Sequence, residues 1–230
     1  SRLDAALIFE QLSQGCTSTT AFITIHNMAT WMLTRFGNDA TRSRWAEALM
    51  SGEKLASYCL TEPNAGSDLA SLATRAVRVG DEYVINGHKI WTSTADKSQM
   101  CFILVRTEPG AKKHEGISYI LLPMDAPGIE VQPLRTMAGS IGENSFNQVF
   151  FTDVRVPKAN VVGKRGEGWK IANTTLKHER NSLNANASGT LMRLARLMNN
   201  ETVNGVSAMA SPIYRDRLMR LQARAFSMKH

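Results

Sequence analysis

Residues 58–93 constrain the fold of this chain more than any other stretch. Two strand-like runs, Ala76–Val79 and Tyr83–Ile85, flank Gly80-Asp81, a pair that suits a tight hairpin turn. On one side of the hairpin, the apolar run Leu55–Leu60 is stopped by Glu62-Pro63 and a loop rich in Asn, Gly, Ser and Asp. Such a loop presents backbone N–H groups and small hydroxyls in an irregular conformation, which suits a phosphate or the polar edge of a ring. On the other side, an alternating strand ends in Trp91-Thr92-Ser93, a flat apolar surface followed by two hydroxyls. Loop and strand end are complementary only if they face one ligand. Thr61, Ser67, Trp91 and Ser93 are therefore expected to converge on one cleft of a β-domain.

The rest of the pattern is helical before this stretch and again well after it. Leu3, Ala6, Leu7 and Leu12 recur at roughly helical spacing. Ser18 or Thr19 caps a second helix that runs through Phe36 to Gly37, and Asp39 caps a third that stops at Ser51-Gly52. The stripe Phe22, Ile25, Trp31 and Met32 reads as core. From Leu55 to Pro157 the signals are those of short strands: the hairpin, a further turn at Asn86-Gly87, then Cys101–Val105, Ile117–Leu122 and Val149–Val156. The glycine-containing turn Gly163–Gly168 opens a helix expected to run to Asn199. It lacks the strand–GxGxxG–helix context of a dinucleotide fold. Asn200–Ser211 reads as a polar linker, and Pro212 opens a basic helix whose Arg215, Arg217, Arg220 and Arg224 form a solvated face. The fold class is α+β: N-terminal helices (1–53), a central β-barrel or sandwich domain (54–160) and the start of a C-terminal helical bundle (161–230).

Composition narrows the function by exclusion. A net charge of +7 is spread along the chain rather than clustered, which argues against nucleic acid and suits a polyanionic small ligand. No apolar run reaches membrane-spanning length and no signal-peptide layout opens the sequence. Cys16, Cys59 and Cys101 are far apart, without metal-ligand spacing, and read as small buried thiols in a reducing compartment. His26, His88, His114 and His178 are scattered. There is no nucleophile elbow and no Cys/His cluster, so hydrolase and metalloenzyme readings have no residues to rest on.

Several motifs in order carry a resemblance. Tyr58-Cys59-Leu60-Thr61-Glu62-Pro63 with Gly66-Ser67-Asp68, then Asn86-Gly87-x-Lys89-x-Trp91-Thr92-Ser93, closely resembles the flavin-binding core of the acyl-CoA dehydrogenase family. Phe151-x-Asp153-Val154-x-Val156-Pro157 and Gly166-Glu167-Gly168-Trp169 extend it. The resemblance implies FAD as cofactor, with Tyr58, Leu60, Thr61, Gly66, Ser67, Trp91, Thr92 and Ser93 holding it. Thr61 resembles the donor at the pyrimidine edge, Trp91 the indole against the isoalloxazine, and Ser93 the donor near the hydride-accepting nitrogen. Donors at the ring edge stabilise charge on the reduced ring. Ser67 also resembles a contact to the coenzyme A portion of the substrate. The resemblance weakens after Arg180. It implies a chain that lacks the first helices of the family's N-terminal domain and most of its C-terminal bundle.

The helical tetrad Lys177-His178-Glu179-Arg180 resembles the family segment that borders the acyl thioester. Lys177, His178 and Arg180 are the substrate contacts it implies; the family carries its base at one of two places, on this helix, where Glu179 stands, or far toward the C-terminus, and Glu179 is the expected base. On a helix, Glu179 has Thr175, Leu176, Ser182 and Leu183 three and four residues away, none of them cationic. The resemblance implies oxidation of an acyl-CoA to the trans-2-enoyl-CoA, with electrons passed to an electron-transferring flavoprotein. It also implies a homo-oligomer when full-length, placed in the cytoplasm or, in a eukaryote, the mitochondrial matrix. An oxidase or flavin monooxygenase on the same scaffold, or a non-catalytic fragment that no longer retains flavin, are the alternatives.

Overall fold

A computed structural model of the chain describes residues 2–137, 146–183 and 187–227; of residues 2, 3, 6, 178–183, 187, 188, 226 and 227 it describes the backbone only. Two units divide it, residues 1–175 and 176–230.

The first unit opens with helices α1 (Arg2–Gly15), α2 (Thr17–Phe36) and α3 (Asp39–Met50). The caps lie earlier than Ser18, Thr19 and Asp39 suggest. Cys16 Sγ accepts from the Thr19 N–H at the start of α2, and Asn38 Oδ1 accepts from the Thr41 N–H at 2.9 Å at the start of α3. Cys16 is thus an exposed capping residue, not a buried thiol like Cys59 and Cys101. Of the expected apolar stripe on α2, Met32 is fully buried, while Phe22, Ile25 and Trp31 are half-buried.

Strands β1 (Ala56–Cys59), β2 (Arg75–Val79), β3 (Glu82–Ser93), β4 (Met100–Arg106), β5 (Ile117–Pro123), β6 (Ile129–Pro133), β7 (Phe146–Pro157) and β8 (Val161–Val162) form one eight-stranded sheet. Its order is β6-β7-β3-β2-β4-β5-β8, with β1 parallel to β4. β6 and β8 end the path unpaired with each other, so the described strands close no barrel. The two halves are joined where Arg75 of β2 meets Arg106 of β4. Both halves send side chains into one cluster: Cys59, Cys101, Ile103 and Leu122 from one, Tyr83, Ile85, Val149 and Val154 from the other. The opposite face of β4 and β5 is buried as well. Phe102 packs against Tyr58 and Tyr119 there, and α2 lies against β1. Strands buried on both faces read as continuous apolar runs, which is why Cys101–Val105 shows no alternation.

His26 joins the helices to the sheet. Its Nε2–H donates to Leu49 O (2.7 Å) at the end of α3, and its Nδ1 accepts from the Ala56 N–H (3.3 Å) at the start of β1. At the other end of α2, the Gly163 N–H donates to Phe36 O (2.9 Å), and Asn38 Nδ2 to Ala159 O (2.6 Å).

Asn86-Gly87 is not a turn. It lies within β3, where Gly87 backs onto Thr74 so closely that a Cβ would meet the threonine side chain at 2.4 Å. The irregularity falls on β7 instead: Asp153 is the extra residue of a bulge, with φ 50°, and the Asn86 side chain both donates to and accepts from it at 3.0 Å.

Helix α4 (Gly168–Leu183) begins in the first unit, where Ile171 and Ala172 are buried and the Thr175 hydroxyl meets Met32 Sδ. The expected helix to Asn199 is described as two, α4 and α5 (Ala187–Asn200). Residues 184–186, between them, lie outside the described residues. In the second unit, the expected linker contains a hairpin, β9 (Thr202–Val203) and β10 (Val206–Ser207), followed by α6 (Pro212–Ser227). Asn204 and Gly205, both left-handed at φ 54° and 80°, form its primed turn. Leu218 of α6 is buried and its arginines are exposed.

Candidate flavin site on the β-domain

Thr61 and Trp91 come from separate segments that the fold ties together directly. The Ile90 N–H donates to Thr61 O at 2.9 Å, so the loop after β1 lies along the end of β3. A Cβ at Gly66 would meet only Thr61 Cγ2, at 4.0 Å, which places the exposed Gly66-Ser67 turn beside Thr61 with open space around it. The N–H and hydroxyl of Thr61 and the hydroxyls of Ser67 and Ser93 donate to no described residue.

Trp91 reaches the surface through a second bulge. Lys89 pairs with Val149 and Thr92 with Asn147, so Ile90 and Trp91 together oppose Gln148. Trp91 takes φ 63°, a left-handed conformation rare for a bulky residue; the residue is 55% exposed and its indole is edge-on to Phe146. Strain of this kind costs about 1–3 kcal/mol and is held only where the surroundings over-determine it. The bulge also shifts the alternation of β3. Tyr83, Ile85 and Lys89 point inward before it and Thr92 after it, so the Thr92 hydroxyl turns into the core against Cys59 Sγ (3.5 Å). The Thr92 carbonyl accepts from Asn147 Nδ2 (3.2 Å), which also bonds Asp96 (3.1 Å).

Beneath this surface lies a buried ion pair. The Lys89 ammonium, fully buried, donates to Glu62 Oε1 at 2.8 Å and to Leu60 O at 2.9 Å. Glu62 also accepts from the Thr74 N–H (2.9 Å) and the Ala73 N–H (2.7 Å). Burial pushes the Glu62 carboxyl up, but the Lys89 charge and the donors from Lys89, Thr74 and Ala73 outweigh it and hold the group below its ordinary range. Burial pulls the Lys89 ammonium down, opposed by Glu62.

Residues 57–154 match the acyl-CoA dehydrogenase middle domain, and residues 1–53 match the acyl-CoA dehydrogenase N-terminal domain. The chain belongs to the acyl-CoA dehydrogenase family. Among its relatives, acyl-CoA dehydrogenase IpdE1 of Mycobacterium tuberculosis is 40% identical over 190 residues, covering 82% of this chain and 48% of the relative. The mitochondrial isobutyryl-CoA dehydrogenase of Bos taurus is 42% identical over 172 residues, covering 75% of this chain and 41% of the relative. The chain thus spans about half the length of the curated relatives it matches. An acyl-CoA dehydrogenase structure from Geobacillus kaustophilus superposes with a TM-score of 0.81 at 25% identity, over 96% of this chain and 59% of that one.

Members of the family are flavin-dependent. The surface described fits such a ring: a projecting indole, with the unspent donors of Thr61 and Ser67 on the loop tied to its strand. Among the residues expected to hold it, Leu60 accepts from Lys89 through its carbonyl, and the ring of half-buried Tyr58 packs against Phe102. Lys177 is exposed on α4; the side chains of His178, Glu179 and Arg180 lie outside the described residues. The sequence reading passed over Lys89 and Glu62, although a signal was there. Lys89 falls on the inward register of Tyr83 and Ile85, and a lysine in that register requires a buried anion. Among the described residues no cluster could hold a metal, and no helix is long and apolar enough to cross a membrane.

Proposed function

We propose that this chain carries the flavin-binding part of an enzyme that oxidises an acyl-CoA thioester to the trans-2-enoyl-CoA, passing electrons to an electron-transferring flavoprotein. The observation that carries the reading is the hydrogen bond from Ile90 to Thr61, which sets unspent donors and a projecting indole on adjoining segments. Bound FAD supplies the two-electron acceptor for the hydride from the substrate β-carbon. The chain's own residues supply the rest. Thr61 and Ser93 would donate to the ring edges and stabilise negative charge there. Trp91 covers an apolar face of the ring, and Ser67 meets the phosphate-bearing parts of cofactor and substrate. Glu179, on α4, removes the weakly acidic α-proton.

The test has two steps in the full-length protein. The purified protein should show the absorbance of bound FAD, which an acyl-CoA should bleach. Glu179→Gln should keep FAD and acyl-CoA binding and abolish bleaching, since an amide accepts no proton. Near-normal bleaching in that variant would move the base to another residue. Failure to retain FAD would remove the reading altogether.

A further inference from the structure

We propose that the buried Lys89–Glu62 pair is a positioning device for the flavin-binding surface, a proposal that rests on the flavin reading above. The argument starts from what each end of the pair grips. Lys89 holds the residues on both sides of Thr61: the carbonyl of Leu60 before it and the side chain of Glu62 after it. Thr61 is left between two anchored neighbours, its N–H and hydroxyl spent on no described residue. Glu62 grips the other way, to the Ala73 and Thr74 N–H groups that lead into β2. Lys89 itself immediately precedes the bulge that turns Trp91 outward. One ammonium therefore fixes both the seat of Thr61 and the point from which the strained Trp91 departs, and the Ile90–Thr61 bond closes the ring between them.

Stability alone is a poor reason for such a pair, because apolar residues of similar volume often serve a core as well or better. What an apolar pair cannot do is tie three backbone segments at fixed distances. Packing and the single Ile90–Thr61 bond would hold the loop at 60–62 less firmly against β3, and a binding surface made of two segments loses affinity when its supports are loose. Lys89 and Glu62 touch no ligand themselves; they act through Thr61 and Trp91.

The test uses Lys89→Met/Glu62→Gln, which removes both charges, with Lys89→Gln/Glu62→Gln, which also removes both but keeps a donor at residue 89, as the second variant should the first fail to fold. Two readouts separate positioning from mere support. In the protein free of cofactor, hydrogen exchange at the Ile90 amide should speed up by at least about tenfold relative to the amides of β4, which global loss of stability would affect equally. In the full-length protein, the FAD dissociation constant should rise by on the order of tenfold and the absorbance band of bound flavin should shift. Unchanged Ile90 protection with FAD affinity within about twofold of the parent would overturn the proposal. If the parent itself takes up no FAD, the flavin reading fails, while Ile90 exchange still decides whether the pair seats the loop.

Discussion

Replacing Lys89 by methionine should destabilise the fold far more than the same change made together with Glu62→Gln. The structure allows the difference to be worked out. Lys89→Met removes the two bonds of a fully buried ammonium, leaving Leu60 O unsatisfied and a carboxylate that is 7% exposed without its cation. Breaking a buried pair from one side costs about 3–5 kcal/mol, and the surviving Thr74 and Ala73 donors place this case near the lower end. Glu62→Gln alone costs at least as much, since it faces an amide N–H₂ toward Lys89 or a backbone N–H. In the double variant no charge remains buried. The amide oxygen keeps the buried Thr74 N–H and exposed Ala73 can turn to water, which leaves the part-buried Leu60 O as the unmade bond, so the loss should be about 1–2 kcal/mol. Urea unfolding of the four chains of the cycle measures this. The loss in the double variant should be at least about 3 kcal/mol smaller than the sum of the single losses. Additive losses would show that the two side chains do not face each other in the folded protein, and the account of the site would lose its foundation.

Acid should act through the same pair. The Glu62 carboxyl is held below its ordinary value in the fold, so its contribution is complete above about pH 4.5 and is lost as the pH falls through the folded value. Stability of the parent should therefore fall more steeply on acidification than that of the double variant, read from urea midpoints across that range. His26→Leu leaves Leu49 O and the Ala56 N–H buried and unpaired and should cost about 2–4 kcal/mol by denaturant melt; a loss below about 1 would mean water replaces the ring. Gly168→Ala places a Cβ 2.6 Å from the Ser118 backbone, so the start of α4 must shift, and a thermal melt should show a loss of about 1–3 kcal/mol. Trp91→Gly relieves a left-handed φ but forfeits the edge contact with Phe146. Stability should change by less than about 1 kcal/mol while FAD retention is lost.

Much of this was legible in the residues and some was not, for reasons that can be named. The Gly80-Asp81 hairpin and the helix ends at Gly37 and Ser51-Gly52 were local signals, and the structure keeps them. Asn86-Gly87 misled because its usual meaning is a turn; whether such a pair turns or continues depends on the partner strand, and here β7 carries the bulge. Asn204-Gly205 misled in the opposite direction: its strands are too short to show alternation, so the turn pair was the whole signal. Ile129–Pro133 lacked the continuous apolar run of β4 and β5, because as an edge strand it buries little. That the Thr61 loop lies beside the end of β3 was readable as an expectation from chemistry. The bulge that turns Trp91 outward was not, since nothing local to Ile90-Trp91 asks for a left-handed residue.

The bonds from Gly163 to Phe36 and from Asn38 to Ala159 have a consequence for the order in which the protein is made. The corner between α2 and α3 is synthesised early, yet its partners follow the last long strand of the sheet. While the ribosome works through the intervening residues, buried side chains such as Met32 and Leu33 have nothing permanent to rest on. β1 is also provisional, because its partner β4 arrives after the whole hairpin. The helices and the sheet should therefore mature in one late step, once residue 163 is clear of the exit tunnel. Nascent chains stalled before that point should be bound by chaperones and cleaved readily within α2, and chains stalled well beyond it should not.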